Sequence, residues 1–329
     1  MSKYSKVQVT LEYAAARGLL AALGSMPRPV AVAAGRRLGR LVYAFVGGFR
    51  RTGERNLALA FPEMSARERA RLLIGSFDSL GRQLGEFSQF ARRTPDFFRR
   101  FVEYDGMEHI LEAQARGRGI IFLASHLGAW ELLSFAHSAY GYPLSFFVRR
   151  IDNPLIEKLV EQTRTRFGNE TIDKKDAVRA ALRVLREGKS LGILADLNTH
   201  PHEGIFVPFF GRLACTTTSV AVLALRTDAA VLPCCAVWSA ARRKFVIRID
   251  PALEIVRTGA REHDIETNTA RFAAAIERQI KAYPDQWLWI HKRWKTRPAG
   301  EPDIYDEQRK MAPSPVSPAL RTEKDTFEI

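Results

Sequence analysis

The 329-residue sequence has no apolar run long enough to cross a bilayer. A transmembrane helix needs about 20 predominantly apolar residues. The apolar stretch near the N-terminus is interrupted by Glu12 and Arg17, although Lys3 and Lys6 precede it. The same interruptions argue against the apolar region of a signal peptide. We therefore expect neither a cleaved leader nor a clear membrane-spanning anchor.

Cysteine is scarce, with three residues at positions 215, 234 and 235. Their spacing matches neither a metal knuckle nor a disulfide framework. An odd number that includes two adjacent residues suits a reducing location on the cytosolic side. We expect Cys215, Cys234 and Cys235 to act as small hydrophobic residues in the core.

Several functional motifs are missing. The chain has no G-x-S-x-G, so a serine hydrolase would lack its nucleophile elbow. The segment from Asp196 to Glu203 holds four potential metal ligands in eight residues, but this spacing matches no standard zinc site. A metal hydrolase remains an alternative. We nevertheless expect no metal and no cofactor.

Acidic residues are in the minority, with 36 against 50 Lys plus Arg and a formal charge of +14. Such an excess favours an anionic partner: nucleic acid, an anionic bilayer, or an acidic protein or substrate. No zinc-finger spacing, RNP motif or helix-turn-helix is present. Trp287, Trp289 and Trp294 lie among basic residues and could stack on bases. The alternatives are core packing, expected first for Trp287, and anchoring at a membrane interface, expected first for Trp294.

The N-terminal stretch from Val9 to Phe49 is rich in Ala, Leu and Val with interleaved arginines. This pattern predicts amphipathic helices that lie on a bilayer, or else an ordinary pair of surface helices. We therefore divide the chain into a membrane-associating helical segment at 1–50, one domain at 51–298 and a tail at 299–329. The tail is rich in Pro, Ser and charge, which predicts disorder.

The domain itself alternates between strand-like and helix-like segments. Ser65-Ala66-Arg67-Glu68 is a capping box that begins an amphipathic helix. Strands are then predicted at 119–125, 143–148, 190–195, 231–238 and 245–249, and helices at 154–167, 176–187 and 264–283. A loop is predicted from Asp196 to Gly211. This order indicates an α/β fold whose mostly parallel central sheet is flanked by helices, with antiparallel strands late in the chain.

His126 directly follows the apolar strand at 119–125, where ligand sites gather in open α/β sheets. Histidine is suited to take a proton from a hydroxyl near neutral pH. Glu131, five residues later, is a candidate to orient it and to stabilise the imidazolium. Gly128 and the following helix N-terminus could offer backbone N–H groups to an oxyanion or phosphate. A structural helix-capping histidine would look similar, and the spacing alone does not separate the two.

His126 and Glu131 after an apolar strand resemble the H-x4-D/E motif of the glycerolipid acyltransferase superfamily. The chain more closely resembles the lipid A biosynthesis acyltransferases, the late lauroyl and myristoyl transferases. The matching stretches, in order, are Arg51–Asn56 (RTGERN), Phe61–Glu63, Ser125–Glu131, Arg149–Pro154 (RRIDNP), Asp173–Asp176, Asp196, Phe206–Gly211, Thr216–Thr218 and Trp289–Pro298.

The resemblance implies a glycerol-3-phosphate-acyltransferase-like domain that moves a fatty acyl chain from acyl carrier protein or CoA to a hydroxyl of a phosphorylated membrane glycolipid. It also implies that Arg149 binds a phosphate or the thioester oxygen, that Asp196 organises the site, pairing with Arg149, and that Asn153 orients the same loop. We expect the acceptor to be a lipid A precursor. Another glycolipid, such as a phosphatidylinositol mannoside, is the alternative.

The same resemblance places the protein at the cytoplasmic face of the inner membrane. Many family members carry one N-terminal transmembrane helix, which Glu12 and Arg17 interrupt here. That departure favours peripheral or monotopic attachment. The partners expected are therefore the acyl donor, an anionic membrane and the glycolipid, with no nucleic acid.

Overall fold

The computed structural model describes residues 5–148, 151–173 and 177–305. Its helices are α1 (Lys6–Ser25), α2 (Arg28–Phe45), α3 (Gly47–Ala60), α4 (Ala66–Phe90), α5 (Pro95–Arg99), α6 (Met107–Ala115), α7 (Trp130–Ala139), α8 (Pro154–Arg164), α9 (Ala177–Arg186), α10 (Ser219–Thr227) and α11 (Arg261–Ala282). Its strands are β1 (Val102–Asp105), β2 (Ile120–Ala124), β3 (Ser145–Val148), β4 (Glu170–Asp173), β5 (Ser190–Leu194), β6 (Gly204–Phe209), β7 (Arg212–Thr217), β8 (Ala230–Ser239) and β9 (Lys244–Ile249).

Seven strands form the central sheet in the order β1-β9-β8-β2-β5-β3-β4. Each neighbouring pair is parallel except β8 and β9, which are antiparallel. All five residues of β2 are buried, as expected for a central strand covered by helices on both faces. The predicted α/β fold with a mostly parallel sheet and late antiparallel strands is confirmed.

The capping box is also confirmed, because the Ser65 hydroxyl accepts from the Glu68 amide and the Glu68 carboxylate accepts from the Ser65 amide. Such a reciprocal cap satisfies two N–H groups that the first turn of a helix leaves unpaired. Helix α4 then runs for 25 residues and buries Leu73 and Phe77 in the larger hydrophobic core cluster.

The loop predicted from Asp196 to Gly211 is wrong in its second half. β6 and β7 pair there as an antiparallel hairpin, with Phe209 opposite Arg212. Phe210 and Gly211 form the turn with positive φ angles of 50° and 70°. Pro208 within the run obscures the strand pattern, but proline is tolerated on an edge strand because its missing N–H can face away from the partner.

Helix α2 packs across α4 through glycines rather than large side chains. A Cβ on Gly35 would lie 2.2 Å from the Gly81 carbonyl oxygen, and one on Gly39 would lie 2.2 Å from the Phe77 oxygen. The Arg28 guanidinium also donates to the buried Glu86 carboxylate of α4 at 2.9 and 2.6 Å. The N-terminal helices are therefore built onto the domain. No helix among the described residues is both long and apolar enough to cross a membrane.

The aromatic C-terminal segment of the domain is an interior element. Trp287, Trp289 and Trp294 are all fully buried. Core packing of Trp287 is confirmed, whereas interface anchoring of Trp294 is wrong, since its ring packs near Phe209. Rings buried in this way cannot stack on bases. The three cysteines are free and buried, as expected for core residues.

Candidate functional site

The site is built where two neighbouring strands end. β2 and β5 are parallel and adjacent, with Ala124 opposite Leu194. The residues that follow them therefore meet at the C-terminal edge of the sheet, the usual ligand-binding edge of such folds. There, His126 Nδ1 lies 2.8 Å from Asp196 Oδ1. The carboxylate can only accept, so a neutral imidazole in this contact carries its proton on Nδ1 and its lone pair on Nε2.

Asp196 is fully buried and its second oxygen is also held. Oδ2 accepts from the His126 backbone N–H at 2.9 Å and from the Trp287 indole N–H at 2.7 Å. Burial by itself would raise the pKa of Asp196. The charge of His126 and the hydrogen bonds from His126 and Trp287 outweigh it and lower that pKa below its usual range. The carboxylate is thus kept ionised where it touches the imidazole.

Two further side chains fix the loop that carries Asp196. Arg293 is fully buried and donates to the carbonyls of Leu197 and Cys215 at 3.3 and 2.7 Å. Its burial lowers the pKa of the guanidinium to about 10. His291 Nε2 accepts from the Asn198 backbone N–H at 3.1 Å, and burial lowers the pKa of His291 to about 4. A neutral His291 suits this accepting role.

Glu131 has a different partner from the one expected. Its carboxylate forms a two-pronged ion pair with Arg164 of α8, in which Nε lies 3.0 Å from Oε2 and Nη2 contacts Oε1. The carboxylate on the His126 ring is Asp196, which had been expected to pair with Arg149. Position explains the difference: Glu131 lies inside the first turn of α7, whereas Asp196 directly follows the neighbouring strand.

His126 and Glu131 do share one cavity of about 340 Å³. Its polar lining includes His126, Glu131 and Arg164. The interior is mainly apolar and extends alongside α7 and the strands, and its walls include Phe122, Leu133, Leu144, Phe146 and Gly192. Because Phe122 lies inside β2 and Leu144 precedes β3, the cavity reaches from the C-terminal edge into the body of the sheet layer. Such a shape fits a chain that is polar at one end and apolar beyond it.

Gly128 is required by the backbone. Its φ is +65°, and an added Cβ would lie 2.1 Å from the Ala236 carbonyl oxygen. Its amide donates to the Gln286 carbonyl at 2.9 Å, and the Ala129 amide donates to Ala236 at 2.8 Å. These two N–H groups are therefore engaged. The backbone N–H groups that could bind an oxyanion are therefore those in the first turn of α7, where no side chain caps the helix.

Asn153 is buried at the start of α8, where its side-chain oxygen accepts from the amides of Leu155 and Ile156 at 3.1 and 3.3 Å. Its amide group donates to the Val9 carbonyl and the Glu12 carboxylate of α1. Asn153 thus caps α8 and joins it to the N-terminal helix, while its predicted role in orienting the preceding loop stays a prediction. Arg149 lies outside the described residues, so its predicted role stays a prediction.

The histidine-rich loop shows no metal centre. His200 and His202 stack with ring centroids 5.6 Å apart, while Asp196 faces His126 instead. Over the described ranges, no three His, Cys, Asp or Glu side chains converge as metal ligands.

Sequence reasoning missed Trp287, His291 and Arg293 as partners of the site. They occur in a basic aromatic stretch for which the sequence allowed core packing, membrane anchoring or base stacking. The tertiary structure decides among these, because it places the stretch beside His126 at the C-terminal edge of the sheet. The Leu288 amide donates to the His126 carbonyl at 3.1 Å and holds the stretch in this position. Arg164 was also missed, since nothing in the pattern of α8 distinguishes it from a solvated arginine.

Comparison with known proteins agrees with this architecture. The family model described as bacterial lipid A biosynthesis acyltransferase matches residues 2–296. The lipid A biosynthesis lauroyltransferase of Escherichia coli K12 is 32% identical over 296 residues, covering 88% of this chain and 92% of that protein. The palmitoleoyltransferase of the same strain is 30% identical, with 85% and 90% covered. The lipid A biosynthesis myristoyltransferase of Escherichia coli K12 is 26% identical, with 82% of each chain covered. The chain belongs to the bacterial lipid A biosynthesis acyltransferase family.

Proposed function

We propose that this enzyme transfers a fatty acyl chain from a thioester of acyl carrier protein or CoA to a hydroxyl of a lipid A precursor, with His126 as the general base. The observation that carries the proposal is the contact of His126, which lines a mainly apolar cavity, with the buried Asp196. The names of the relatives support lipid A as the acceptor class.

In the proposed reaction, His126 Nε2 takes the proton of the acceptor hydroxyl as its oxygen attacks the thioester carbonyl. An ester C–O bond forms, the C–S bond breaks, and the leaving thiolate receives the proton back from the imidazolium. Asp196 holds the ring in the required tautomer and stabilises its positive charge. No covalent acyl-enzyme is part of this sequence.

Negative charge that develops on the thioester oxygen needs donors. We assign this task to Arg149 and to the N–H groups in the first turn of α7, where the helix dipole also favours an anion. Glu131 is assigned a supporting electrostatic role on the same cavity wall, with Arg164 holding its carboxylate in place. The Asn153 cap and the backbone turn at Gly128 keep the two edges of the site in position.

The acyl chain would occupy the apolar interior. Burial of methylene groups contributes about 0.8 kcal/mol each, so a fitted chain would supply most of the donor's binding free energy. Gly192 leaves space in the middle of β5, where a larger side chain would project toward Leu144 and Phe146. The width at Gly192 and the depth near Phe122 would then select the chain length.

The C-terminal edge of the sheet suits a membrane-borne acceptor at the cytoplasmic face of the inner membrane. Leu194, Ile151, Leu155 and Val178 are exposed apolar residues at the ends of strands or the starts of helices on this edge. The charge of +14 fits both anionic lipids and an acidic carrier protein. Peripheral or monotopic attachment is therefore our proposal. Acylation of a phosphatidylinositol mannoside is the alternative.

The direct test is to incubate the purified protein with each acyl donor and a lipid A precursor in detergent and to detect the acylated product by mass spectrometry. His126→Ala should lower the rate by about 10²–10⁴-fold, the usual contribution of a positioned base. His202→Ala, which alters an exposed histidine, is the matched control and should retain activity. Near-normal turnover of His126→Ala, or an accumulating acyl-enzyme, would contradict the mechanism. A product formed only with a mannoside would instead support the alternative.

A further inference from the structure

A second cavity lies away from the His126 site, between α3 and the segment that follows Trp289. It has a volume of about 480 Å³, and we call it the α3 groove. Its lining combines cations with apolar groups, namely Arg51, Arg55, Lys292, Val46, Phe49 and Ile290. Thr52, Ile304 and Tyr305 complete most of the wall. Among the described residues, no acidic side chain lines it.

Hydrogen bonds hold the two sides of the groove together. The buried Asn56 side chain of α3 donates to the carbonyls of Trp289 and His291, both at 2.6 Å. The Tyr305 hydroxyl donates to Asn56 Oδ1 at 2.6 Å and accepts from the Trp294 amide at 3.2 Å. The contacts of Asn56 join stretches more than 200 residues apart in sequence. The groove is therefore a fixed feature of the fold and not a gap between loose loops.

Two of the cations are available in this groove. Arg51 is exposed and has no hydrogen bond or ion pair among the described residues. Lys292 is exposed, and its ammonium lies over the Tyr305 ring at 5.5 Å. Arg55, by contrast, is engaged through Nε with the Ile304 carbonyl at 3.3 Å. Among the described residues, no ion pair offsets the charge of Arg51 or Lys292.

The rim next to these cations is apolar and exposed. Phe45 is 82% exposed, and Leu41, Val46 and Phe49 are each between 40% and 53% exposed. These four side chains occupy the end of α2 and the beginning of α3. An exposed apolar cluster beside the cations Arg51 and Lys292 matches an amphiphile with an anionic head and apolar tails. A free anion would have no use for the apolar rim.

We propose that the α3 groove binds the phosphate headgroup of an anionic phospholipid while Phe45 and Phe49 enter the acyl region of the bilayer. Arg51 and Lys292 would contact the phosphate. The inference rests on the proposal that the enzyme works at a membrane. It adds the surface and the lipid chemistry that hold the enzyme there.

The test uses flotation of the full chain with vesicles of phosphatidylcholine alone or mixed with phosphatidylglycerol. Arg51→Gln combined with Lys292→Gln should weaken binding to the mixed vesicles about 25-fold, because each cation near an anionic surface contributes roughly fivefold. The control, Arg186→Gln with Arg278→Gln, removes the same charge from exposed positions on α9 and α11 and should change binding little. Phe49→Ser should also release the protein, and Leu111→Ser on α6 should not.

Added inorganic phosphate should compete with the mixed vesicles only if the groove recognises the phosphate itself. Unchanged vesicle binding of the Arg51 and Lys292 double variant would overturn the proposal, as would an equal loss in the control. If the double variant altered only the protease sensitivity of residues 306–329, the groove would serve the chain's own tail. Acyl transfer with detergent-solubilised substrates should persist in the double variant, so failure of this inference is distinguishable from failure of the proposed reaction.

Discussion

The imidazole of His126 is held by Asp196, 70 residues away in sequence, with Nδ1 and Oδ1 2.8 Å apart. Asp196→Asn keeps the shape but can present an N–H group to the ring, which would favour the tautomer with its proton on Nε2. A base in that tautomer cannot accept the hydroxyl proton. We expect kcat to fall by about 10²–10⁴-fold with little change in KM, measured by steady-state acyl transfer.

Trp287→Phe is the comparison for this variant, because it removes one hydrogen bond from Asp196 and leaves the histidine contact intact. Its loss of kcat should be much smaller. Equal losses for the two variants would show that Asp196 acts through packing and not through the tautomer of His126.

Glu131 and Arg164 should behave as one functional unit, since their charged groups form a two-pronged ion pair in the cavity wall. We expect Glu131→Gln and Arg164→Gln each to lower kcat/KM by at least about tenfold. Residues in contact give non-additive effects, so the double variant should be little worse than the more damaging single one. Losses that multiply fully in the double variant would mean that the two side chains act separately.

Gly128→Ala should destabilise the fold, because it combines a left-handed φ of +65° with a Cβ 2.1 Å from the Ala236 oxygen. Gly117→Ala is a matched control with a φ of +64° and open space around the new Cβ. The control should cost about 1–2 kcal/mol in the free energy of unfolding, the usual penalty of the left-handed conformation. Gly128→Ala should cost clearly more in urea denaturation. Equal losses of unfolding free energy in the two variants would mean that the strand containing Ala236 shifts to accommodate the new Cβ.

Stability should decline as the pH falls below about 6.5. Burial lowers the pKa of His137 to about 3 and that of His291 to about 4, both from 6.5. Between about pH 4 and 6.5, His137 and His291 are protonated in the unfolded chain but not in the folded one. The free energy of unfolding therefore rises with pH over this range. Denaturation at several pH values measures this slope. His137→Gln, which cannot titrate, should flatten it, whereas an unchanged slope would show that His137 is protonated in the folded protein.

Acyl-chain preference should follow the shape of the His126 cavity. Gly192→Val would narrow it beside Leu144 and should shift the preferred donor to shorter chains. Phe122→Leu would open its wall deeper in the sheet layer and should shift the preference to longer chains. Competition among acyl thioesters, followed by mass spectrometry of the products, measures both shifts. If the two variants shift the preference in the same direction, the chain lies elsewhere.

The elements predicted well were those whose signal is local. The all-apolar run before His126 became β2, the Ser65–Glu68 box began α4, and periodicity located α8, α9 and α11 to within a few residues. The hairpin of β6 and β7 was missed because Pro208 and the turn at Phe210 and Gly211 interrupt its pattern. The burial of Trp294 was missed because an interfacial and an interior tryptophan occur in the same basic aromatic context.

The sequence by itself determined the α/β class, the position of His126 at a strand end and the family resemblance. These features depend on apolar strand runs, helix caps and short motifs, each of which involves residues that are close together in the chain. It could not choose among the carboxylates. Only the tertiary structure decided that Asp196 contacts His126 while Glu131 pairs with Arg164. It also decided that Gly128 is needed where its backbone lies against the Ala236 carbonyl. Strand order brings β2 beside β5, and it depends on packing contacts between residues far apart in the chain. Those contacts leave no periodic trace in the sequence.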